Sequence, residues 1–416
     1  MIEAKGTVLN RREFLRLAGI GGACAAASSP FLSGRLGRLL TGAGVAEAAG
    51  ASPLARNAPE ARYYVSTLAP AGVCASCHGD ASDLDVSYRH TSRAVKCFLC
   101  ANECDIPDGA RGLCRARENV GGVLKTLVYG RPAAIHVDPI EKKPFYHFLP
   151  GTTAFSIGTA GCPLRCEFCQ NWELSSAAPE EIEGEEVTPG AIVRAALRRG
   201  APTIAFTYNE PTVFFEYLAD ISREGRKEGL RHVLVSSGYM NPEPLEEMCG
   251  FLDAIKIDLK GYDEEFYRKV CGGELGPVLR SIRGAARRGV HLEIVNLVVP
   301  TLNDSPERLR ELCRWVAGET GPDTPVHFTR FHPDYRMLNL PPTPVSTLER
   351  AWEIAREEGL RYPYVGNVPD HPGNNTYCPS CGGKAIERIG FHTIGVRVDE
   401  EGRCAACGAP IAGVWK

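Results

Sequence analysis

From residue 154 onward, short apolar runs alternate with longer segments in which apolar residues recur at helical spacing. The apolar runs have the length and the β-branched content of buried strands; they span 154–158, 203–207, 232–236, 254–258, 291–295 and 326–330. The amphipathic segments between them include 189–199, 213–228, 279–288 and 306–316. This alternation predicts an α/β fold, a partial (βα)6 barrel of the TIM type, with its chemistry at the carboxyl ends of the strands.

A loop with three closely spaced cysteines follows the first predicted strand. Cys162, Cys166 and Cys169 form a C-x3-C-x2-C pattern. Three thiolates can bind three irons of a four-iron, four-sulfur cluster, and since four ligands are the rule, one iron is left open to a small molecule. Structural zinc with a fourth ligand from elsewhere is the alternative.

The cysteine loop and its surroundings resemble a known family. Phe168 before the last cysteine completes the C-x3-C-x-aromatic-C signature of radical S-adenosylmethionine (SAM) enzymes. Segments 127–132, 138–144, 158–162 and 169–172 resemble the radical enzyme of the AmmeMemoRadiSam system, a group similar to the pyruvate formate-lyase activating enzymes. The resemblance covers roughly residues 95–370.

This resemblance implies a radical SAM enzyme with a catalytic [4Fe-4S] cluster on Cys162, Cys166 and Cys169. In the family, the cluster reductively cleaves SAM to methionine and a 5'-deoxyadenosyl radical, which abstracts hydrogen from a substrate, here an unknown protein or small molecule. Polar residues that follow the predicted strands match family positions for the cofactor. The implied SAM contacts are Phe168, Asn209, Glu210, Ser237, Asp258, Lys260 and His332.

Some of these implied contacts depart from the family pattern or have a second explanation. The pair Asn209-Glu210 stands where the family has two glycines, so backbone contacts with SAM are not expected here. The Glu210 carboxylate is expected to bind the methionyl amine instead. An acidic residue at a helix start is the alternative for Glu210. His332 is also explained as an ordinary loop histidine.

Four cysteines precede the predicted barrel within eighteen residues: Cys97, Cys100, Cys104 and Cys114. Glycines and a proline between them permit tight turns around an ion. Zinc is the first choice for this group. The alternative is a second iron-sulfur cluster, which could relay electrons to the main one.

Two C-x2-C-G knuckles near the end of the chain contain Cys378, Cys381, Cys404 and Cys407. Paired knuckles give tetrahedral sulfur ligation, as in a zinc ribbon or a rubredoxin-like module. Zinc is favoured over a single iron, and the expected role is structural, with a lid over the active site or a docking surface as alternatives.

A further cysteine pair has the spacing of a haem c attachment site, Cys74-x-x-Cys77-His78. Haem is the weaker interpretation, because a protein exported in the folded state would not receive it. A metal knuckle that uses Cys74, Cys77 and either His78 or His90 is the alternative.

The first residues have the pattern of a twin-arginine export signal. An Asn-Arg-Arg motif at 10–12 precedes a weakly apolar run at 17–26 and a small-x-small site at 46–48. The run is too short for a stable membrane span. We expect export to the periplasm or another extracytoplasmic compartment, or a cytoplasmic location if the leader is not used.

These patterns divide the chain into four expected regions. They are a signal peptide at 1–48, a cysteine-rich module at 60–150, a radical SAM partial barrel at 151–370 and a zinc-ribbon-like module at 375–416. A net charge of −3 gives no electrostatic argument for nucleic acid binding.

The expected partners follow from the same interpretation. They are a ferredoxin-like or flavodoxin-like reductant protein and, by the resemblance, Memo-type and AMMECR1-type proteins. Two other functions stay open at this point: an exported iron-sulfur or haem electron-transfer protein, and an activase that installs a glycyl radical.

Overall fold

The computed structural model describes residues 7–8, 51–67, 93–182 and 186–416. Nearly all of the predicted export signal lies outside the described residues. Cys74, Cys77 and His78 lie outside them as well. Export and the haem or metal site at Cys74 and Cys77 therefore stay predictions.

The described strands are numbered in chain order. They are β1 (Thr7–Val8), β2 (Tyr64–Ser66), β3 (Val95–Cys97), β4 (Asp105–Ile106), β5 (Arg117–Val120), β6 (Val123–Thr126), β7 (Ala134–Pro139), β8 (Thr153–Gly158), β9 (Thr203–Phe206), β10 (Arg231–Ser236), β11 (Ala254–Asp258), β12 (His291–Val298), β13 (Val326–Arg330), β14 (Pro363–Gly366), β15 (Thr376–Tyr377), β16 (Lys384–Ile389) and β17 (His392–Val396).

The described α-helices are numbered in the same way. They are α1 (Pro53–Asn57), α2 (Trp172–Ser175), α3 (Pro189–Arg198), α4 (Phe215–Lys227), α5 (Pro242–Cys249), α6 (Glu264–Phe266), α7 (Leu275–Arg287), α8 (Pro306–Thr320) and α9 (Val345–Glu357). Helix α6 continues into a π-helical turn, Tyr267–Cys271. Short 3-10 turns span Ile140–Lys142, Pro179–Glu181, Pro211–Phe214 and Pro372–Asn374.

The main sheet confirms the predicted α/β fold class. Strands β8 to β14 are all parallel and each pairs with the next along the chain. The six predicted strands are β8 to β13. The sheet then continues by one strand, β14, and its other edge carries β7 and β1 in antiparallel pairing. Both β7 and β14 were missed in the sequence analysis.

Each face of the sheet packs against a different set of apolar residues. Outward-facing residues such as Phe155 and Ile157 of β8 belong to the large apolar core under the helices. Toward the interior, the amino-terminal ends of the strands carry small residues such as Ala154, Ala205 and Ala254, which pack with buried Phe145 and Phe148. These aromatic rings fill that end of the barrel and leave the polar interior open toward the other.

The C-terminal module packs at the amino-terminal ends of the barrel strands. Its sheet, β15 to β17, is antiparallel. Arg388 Nη2 donates to the Tyr146 carbonyl at 2.7 Å, and Val414 forms a bridge with Phe148. Because the cysteine loop follows the carboxyl end of β8, the module lies at the opposite end of the barrel. That position is incompatible with a lid over the cysteine loop.

The N-terminal module packs beside the carboxyl ends of the strands. The Arg62 backbone N–H donates to Glu216 of α4 at 2.7 Å, and Asn241 Nδ2 donates to the Phe98 carbonyl at 2.9 Å. Buried Arg117 forms an ion pair with the same Glu216 at 2.6 Å. These contacts hold the four cysteines of this module against the barrel.

Within the ranges that the structure describes, no helix combines the length and the hydropathy needed to cross a membrane.

Candidate active site

Two glycines bring the cysteine loop close to its neighbours. A Cβ on Gly158, the last residue of β8, would lie 2.6 Å from the Thr207 carbonyl oxygen. Gly161 has a φ of +95°, and a Cβ there would lie 2.4 Å from the Cys114 carbonyl oxygen. A side chain has no room at either position. The loop can therefore enter Cys162 only with glycine at these two places.

Asn209 fixes the segment that leads into Cys162. The Thr159 N–H donates to Asn209 Oδ1 at 3.1 Å, and Asn209 Nδ2 donates to the Gly161 carbonyl at 2.8 Å. The side chain is 8% exposed. Asn209 thus positions the loop through its side chain, which the sequence analysis did not anticipate. A direct contact of Asn209 with SAM stays a prediction.

The π-helical turn holds the other side of the cysteine loop. The Arg165 N–H donates to the Cys271 carbonyl at 2.8 Å, and the Glu167 N–H donates to the Val270 carbonyl at 3.0 Å. Cys271 is fully buried beside Cys166. Sequence alone does not predict this contact, because nothing local marks a π turn.

The three loop thiols differ in electrostatic environment. Burial, and then the nearby Glu210 carboxylate, raises the pKa of Cys162 well above its ordinary value. Burial also raises the pKa of Cys169, whereas hydrogen bonding with Cys271 lowers that of Cys166. Thiols with raised pKa become thiolates once a metal is bound, because metal ligation requires the deprotonated form. The donor set therefore suits a metal cluster better than a free nucleophile.

Sulfur spacing distinguishes the C-terminal cysteine group from the other two groups that the structure describes. Among the described residues, only Cys378, Cys381, Cys404 and Cys407 bring three or more metal-ligating atoms within 4.8 Å of one another. The Cys162 group is more open than this. A single ion needs close sulfurs, whereas a cluster with one iron under each sulfur needs them apart. The three loop sulfurs are therefore not gathered around one ion in the way that the C-terminal four are.

Glu210 joins the ends of two strands. Its buried carboxylate accepts hydrogen bonds from five donors of three residues: Ser236 Oγ at 2.7 Å, Ser237 N and Oγ at 2.7 and 2.6 Å, and Thr212 N and Oγ1 at 3.2 and 2.7 Å. From the sequence, Glu210 and Ser237 are expected to contact SAM separately. In the structure they bind each other, and their contacts with SAM stay predictions.

Asp258 lies between two lysines at the carboxyl end of β11. It forms ion pairs with Lys256 and with Lys260, the latter at 3.3 Å. Burial acts to raise the pKa of Asp258, but the two ammonium groups outweigh it and hold the pKa below its ordinary value. Burial also lowers the pKa of Lys256. Lys256 belongs to this charged group and was missed because it lies within the strand.

Phe168 and Lys260, which are both predicted to contact SAM, lie next to each other. Lys260 Nζ lies 5.7 Å from the centre of the Phe168 ring. The ring is 5% exposed and stacks on Phe266 at 6.3 Å. Phe266 therefore supports one side of Phe168. Contact of Phe168 with adenine stays a prediction.

His332 is exposed on the segment after β13 and makes no hydrogen bond or ion pair with the described part of the chain. The same segment touches the cysteine loop through other residues. The Arg336 N–H donates to the Glu167 carbonyl at 3.0 Å, and Tyr335 stacks on Trp172 at 5.2 Å. The role predicted for His332 is untested, and the stacked aromatic pair was not anticipated.

Comparison with known proteins agrees with this geometry. A family model described as the radical SAM superfamily matches residues 156–316. An uncharacterized protein of Methanocaldococcus jannaschii is 45% identical over 318 residues, which are 76% of this chain and 95% of that protein. The chain belongs to the radical SAM superfamily. It is therefore an enzyme, and its family implies a [4Fe-4S] cluster and SAM.

This radical SAM enzyme is also homologous to activating enzymes. The pyruvate formate-lyase-activating enzyme of Clostridium pasteurianum is 27% identical, covering 38% of this chain and 66% of that protein. The benzylsuccinate synthase activating enzyme of Thauera aromatica is 22% identical, covering 48% of this chain and 61% of that protein. The chain thus spans just under two thirds of each of these two activating enzymes.

A polar cluster in the barrel interior was missed in the sequence analysis. Lys143 Nζ donates to Asp138 at 2.6 Å, and Tyr208 OH donates to the same carboxylate at 3.2 Å. His136 Nδ1 lies 3.0 Å from Tyr208 OH. Burial lowers the pKa of Lys143 to about 8. Tyr208 links this cluster to the cysteine loop, because its carbonyl accepts from Asn171 Nδ2 at 2.9 Å.

The C-terminal knuckles form a compact site for one ion. Sγ atoms lie 3.6 Å apart between Cys378 and Cys407 and 3.9 Å apart between Cys381 and Cys404. A zinc ion about 2.3 Å from each sulfur places the sulfurs about 3.8 Å apart. The four cysteines could therefore hold a metal, and zinc as its identity stays a prediction.

Breaking this site is expected to cost both metal and stability. We expect Cys381→Ser to lose about one zinc per chain and to lower the thermal midpoint by roughly 5–10 °C, because the ion ties the module together. Cys249→Ser is the matched control, since Cys249 is partly exposed on α5 and outside every cysteine group. Metal analysis and a thermal melt decide; unchanged zinc in Cys381→Ser would exclude ligation by these knuckles.

Gly161 provides a test of how tightly the loop is held. We expect Gly161→Ala to lose at least half of the bound iron, because the new Cβ collides with the Cys114 carbonyl. Gly200→Ala is the matched control, since Gly200 also has a positive φ, +63°, but its Cβ meets nothing within 4 Å. That control pays only the left-handed backbone cost, about 1–2 kcal/mol. Equal iron contents in the two variants would contradict the close approach.

Proposed function

We propose that Cys162, Cys166 and Cys169 bind a [4Fe-4S] cluster and that this enzyme uses it to cleave SAM reductively. The observation that carries the proposal is a three-cysteine loop held at the carboxyl end of β8 by Asn209 and by the π-helical turn. When bound, the cluster supplies one electron, which breaks the bond from sulfonium sulfur to C5' and leaves methionine and a 5'-deoxyadenosyl radical. That radical then takes one hydrogen atom from a protein or small-molecule substrate.

The strand ends around the loop bind SAM in this proposal. Lys260 offers a cation beside Cys166 and Phe168, where a methionyl carboxylate can bind, and Asp258 holds the lysine in place. Phe168 offers the edge of a supported ring to the adenine. Ser237 offers its hydroxyl oxygen as an acceptor, since its proton is donated to Glu210. His332 contributes from the exposed segment after β13.

The polar interior of the barrel receives the substrate. Tyr208 reaches from the cysteine loop to Asp138, so the interior cluster begins directly beside the loop. The cluster offers an amine, a carboxylate and an imidazole to a polar group of the substrate. Phe145 and Phe148 fill the far end, so water and substrate enter from the side of the cysteine loop.

Product analysis tests the proposal. Protein reconstituted with iron and sulfide and reduced with dithionite is incubated with SAM under anaerobic conditions. We expect 5'-deoxyadenosine and methionine in equal amounts and more than one turnover when a substrate is present. Absence of 5'-deoxyadenosine from protein that carries a full cluster would overturn the proposal.

The second candidate function is activation of a glycyl-radical enzyme. Homology to the activating enzymes of pyruvate formate-lyase and benzylsuccinate synthase favours it. If this function is correct, a partner protein incubated with the reduced enzyme and SAM acquires a doublet in its electron paramagnetic resonance (EPR) spectrum. If 5'-deoxyadenosine forms but the partner shows no such signal, glycyl-radical activation is rejected and only the first function remains.

The partners and the location belong to the same proposal. A ferredoxin-like or flavodoxin-like protein provides the electron, and Memo-type and AMMECR1-type proteins are candidate partners through the AmmeMemoRadiSam resemblance. The twin-arginine pattern supports export of a protein that has folded with its cofactors. An electron-transfer protein without a SAM site is the less favoured alternative, because it has no use for the charged group around Asp258.

A further inference from the structure

The N-terminal cysteine group surrounds a cavity of its own. Cys97 ends β3, Cys100 and Cys104 lie in the turn before β4, and Cys114 lies in the loop before β5. All four line one small cavity, and the rest of its wall is largely apolar. Leu99, Ile106 and Val213 supply most of that apolar wall. The four thiols of this module therefore converge on one enclosed, mostly apolar site.

Sulfur spacing distinguishes this N-terminal site from the C-terminal site. A tetrahedral zinc site has all its sulfurs about 3.8 Å apart, given zinc–sulfur bonds of about 2.3 Å. In the described residues, the C-terminal cysteines meet that condition, whereas no three of Cys97, Cys100, Cys104 and Cys114 come within 4.8 Å of one another. They share this openness with the cysteines of the radical SAM loop. A cubic cluster with an iron under each sulfur requires such openness.

A buried arginine also points to an occupant that accepts hydrogen bonds. Arg117 is 1% exposed and lines the same cavity. Its Nη2 is paired with Glu216, but its buried Nε has no hydrogen-bond partner among the described residues. A buried N–H without an acceptor costs about 1–3 kcal/mol. Cluster sulfide or a cysteine sulfur in the cavity would supply the acceptor.

The cavity lies directly against the radical SAM loop. Asn102, between Cys100 and Cys104, donates from Nδ2 to the Pro163 carbonyl at 2.9 Å. The Cys114 carbonyl meets the backbone of Gly161, next to Cys162. The two cysteine groups are therefore in contact through their backbones, with Cys114 against the residue before Cys162.

We propose that Cys97, Cys100, Cys104 and Cys114 bind a second [4Fe-4S] cluster that relays electrons to the cluster on the radical SAM loop. Four cysteine ligands leave none of its irons open, so it stores and passes electrons but binds no SAM. One electron enters from a ferredoxin-like or flavodoxin-like protein, reduces this cluster, and then moves to the loop cluster. The relay step rests on the proposed function, whereas the occupant of the cavity does not.

Metal analysis of a variant without the loop cluster tests the occupant. Cys162→Ala, Cys166→Ala and Cys169→Ala are combined in the full chain, which is purified anaerobically. We expect about four irons and four sulfides to remain, with about one zinc. An EPR signal from a reduced cluster is expected after treatment with titanium(III) citrate. Iron-free protein with about two zincs would overturn the proposal.

If that variant does not fold, the iron and zinc contents of the wild-type chain test the same proposal. Apart from any metal on Cys74 and Cys77, we expect about eight irons and one zinc per wild-type chain, against about four irons and two zincs if the N-terminal group binds zinc. Failure of SAM cleavage in protein with eight irons would reject the proposed function and leave the second cluster intact. The two proposals therefore fail separately.

Magnetic coupling tests the short distance that a relay needs. Cys100→Ser combined with Cys104→Ser leaves the loop cluster alone, and the alanine variant leaves the N-terminal cluster alone. We expect the EPR spectrum of fully reduced wild-type protein to be broadened relative to the sum of the two variants. A spectrum equal to that sum would place the clusters too far apart and would overturn the relay.

Discussion

Combined Cys162→Ala, Cys166→Ala and Cys169→Ala substitutions are expected to reduce 5'-deoxyadenosine formation at least about 10³-fold, because enzymes typically accelerate their reactions by 10⁶-fold or more. The loop thiolates are the ligands of the group that supplies the electron, and no other described cysteine can replace them. Cys271 lies beside Cys166 on the π turn, but a single cysteine cannot replace three ligands. Product is measured by chromatography after reduction with dithionite.

A variant of the C-terminal knuckles is the matched control for this loss. Cys381→Ser combined with Cys407→Ser removes two cysteines at the opposite end of the barrel, and both side chains are exposed. We expect this control to keep 5'-deoxyadenosine formation within about threefold of wild type at a temperature below its melting point, about 0.7 kcal/mol in barrier height. Persistent product in the alanine variant would refute the assignment of the loop as the cluster site.

Glu210→Gln is expected to destabilise the enzyme by about 3 kcal/mol and to lower 5'-deoxyadenosine formation at least about tenfold. A glutamine offers one acceptor oxygen and an NH₂ group, so the donors at one of the two former carboxylate oxygens lose their partner in a buried site. The donors at stake include Ser236 Oγ and the Ser237 N–H. The ends of β9 and β10 would then separate and disturb the SAM site.

The effect of Glu210→Gln is measured by a denaturation midpoint and by product analysis of the same preparation. Glu228→Gln is the matched control, because Glu228 is exposed at the end of α4 and its side chain makes no hydrogen bond or ion pair within the described ranges. We expect the control to match wild type in both measurements. A Glu210→Gln protein as stable as the control would mean that the five hydrogen bonds do not hold the strand ends.

The strands β8 to β13 were predictable because each is a short apolar run between amphipathic segments. Strand β14 was missed because it begins at Pro363, and proline is usually a signal against a strand. Strand β7 was missed because most of its residues are only partly buried, so it lacks the continuous apolar run of a buried strand. Both lie next to the region that the pattern identified.

The position of the candidate site followed from a general property of parallel sheets. The carboxyl ends of the strands meet at one edge, so the cysteine loop, Glu210 and Asp258 could be placed together from sequence. The hydrogen bonds between Glu210 and Ser237 could not, because they depend on side-chain rotamers. The role of Asn209 was also unpredictable, since it depends on the path of the loop before Cys162.

The cysteine modules show a similar division. Paired C-x2-C knuckles predicted a four-sulfur site, and Cys378 and Cys407 are indeed close. Sequence could not give the end of the barrel on which the module packs, because that depends on contacts such as Arg388 with Tyr146. Nor could it separate zinc from a cluster in the N-terminal group, because C-x2-C spacing is common to both.

The central claim is that one iron of the loop cluster lacks a protein ligand and binds the methionyl part of SAM. Electron–nuclear double resonance of the reduced wild-type protein tests it most directly, with SAM labelled by ¹⁵N in the amine and ¹⁷O in the carboxylate. We predict hyperfine coupling of both labels to the loop cluster and no such coupling in the combined Cys162→Ala, Cys166→Ala and Cys169→Ala variant. Reduced wild-type protein that carries the loop cluster but shows no coupling to either label would contradict the claim.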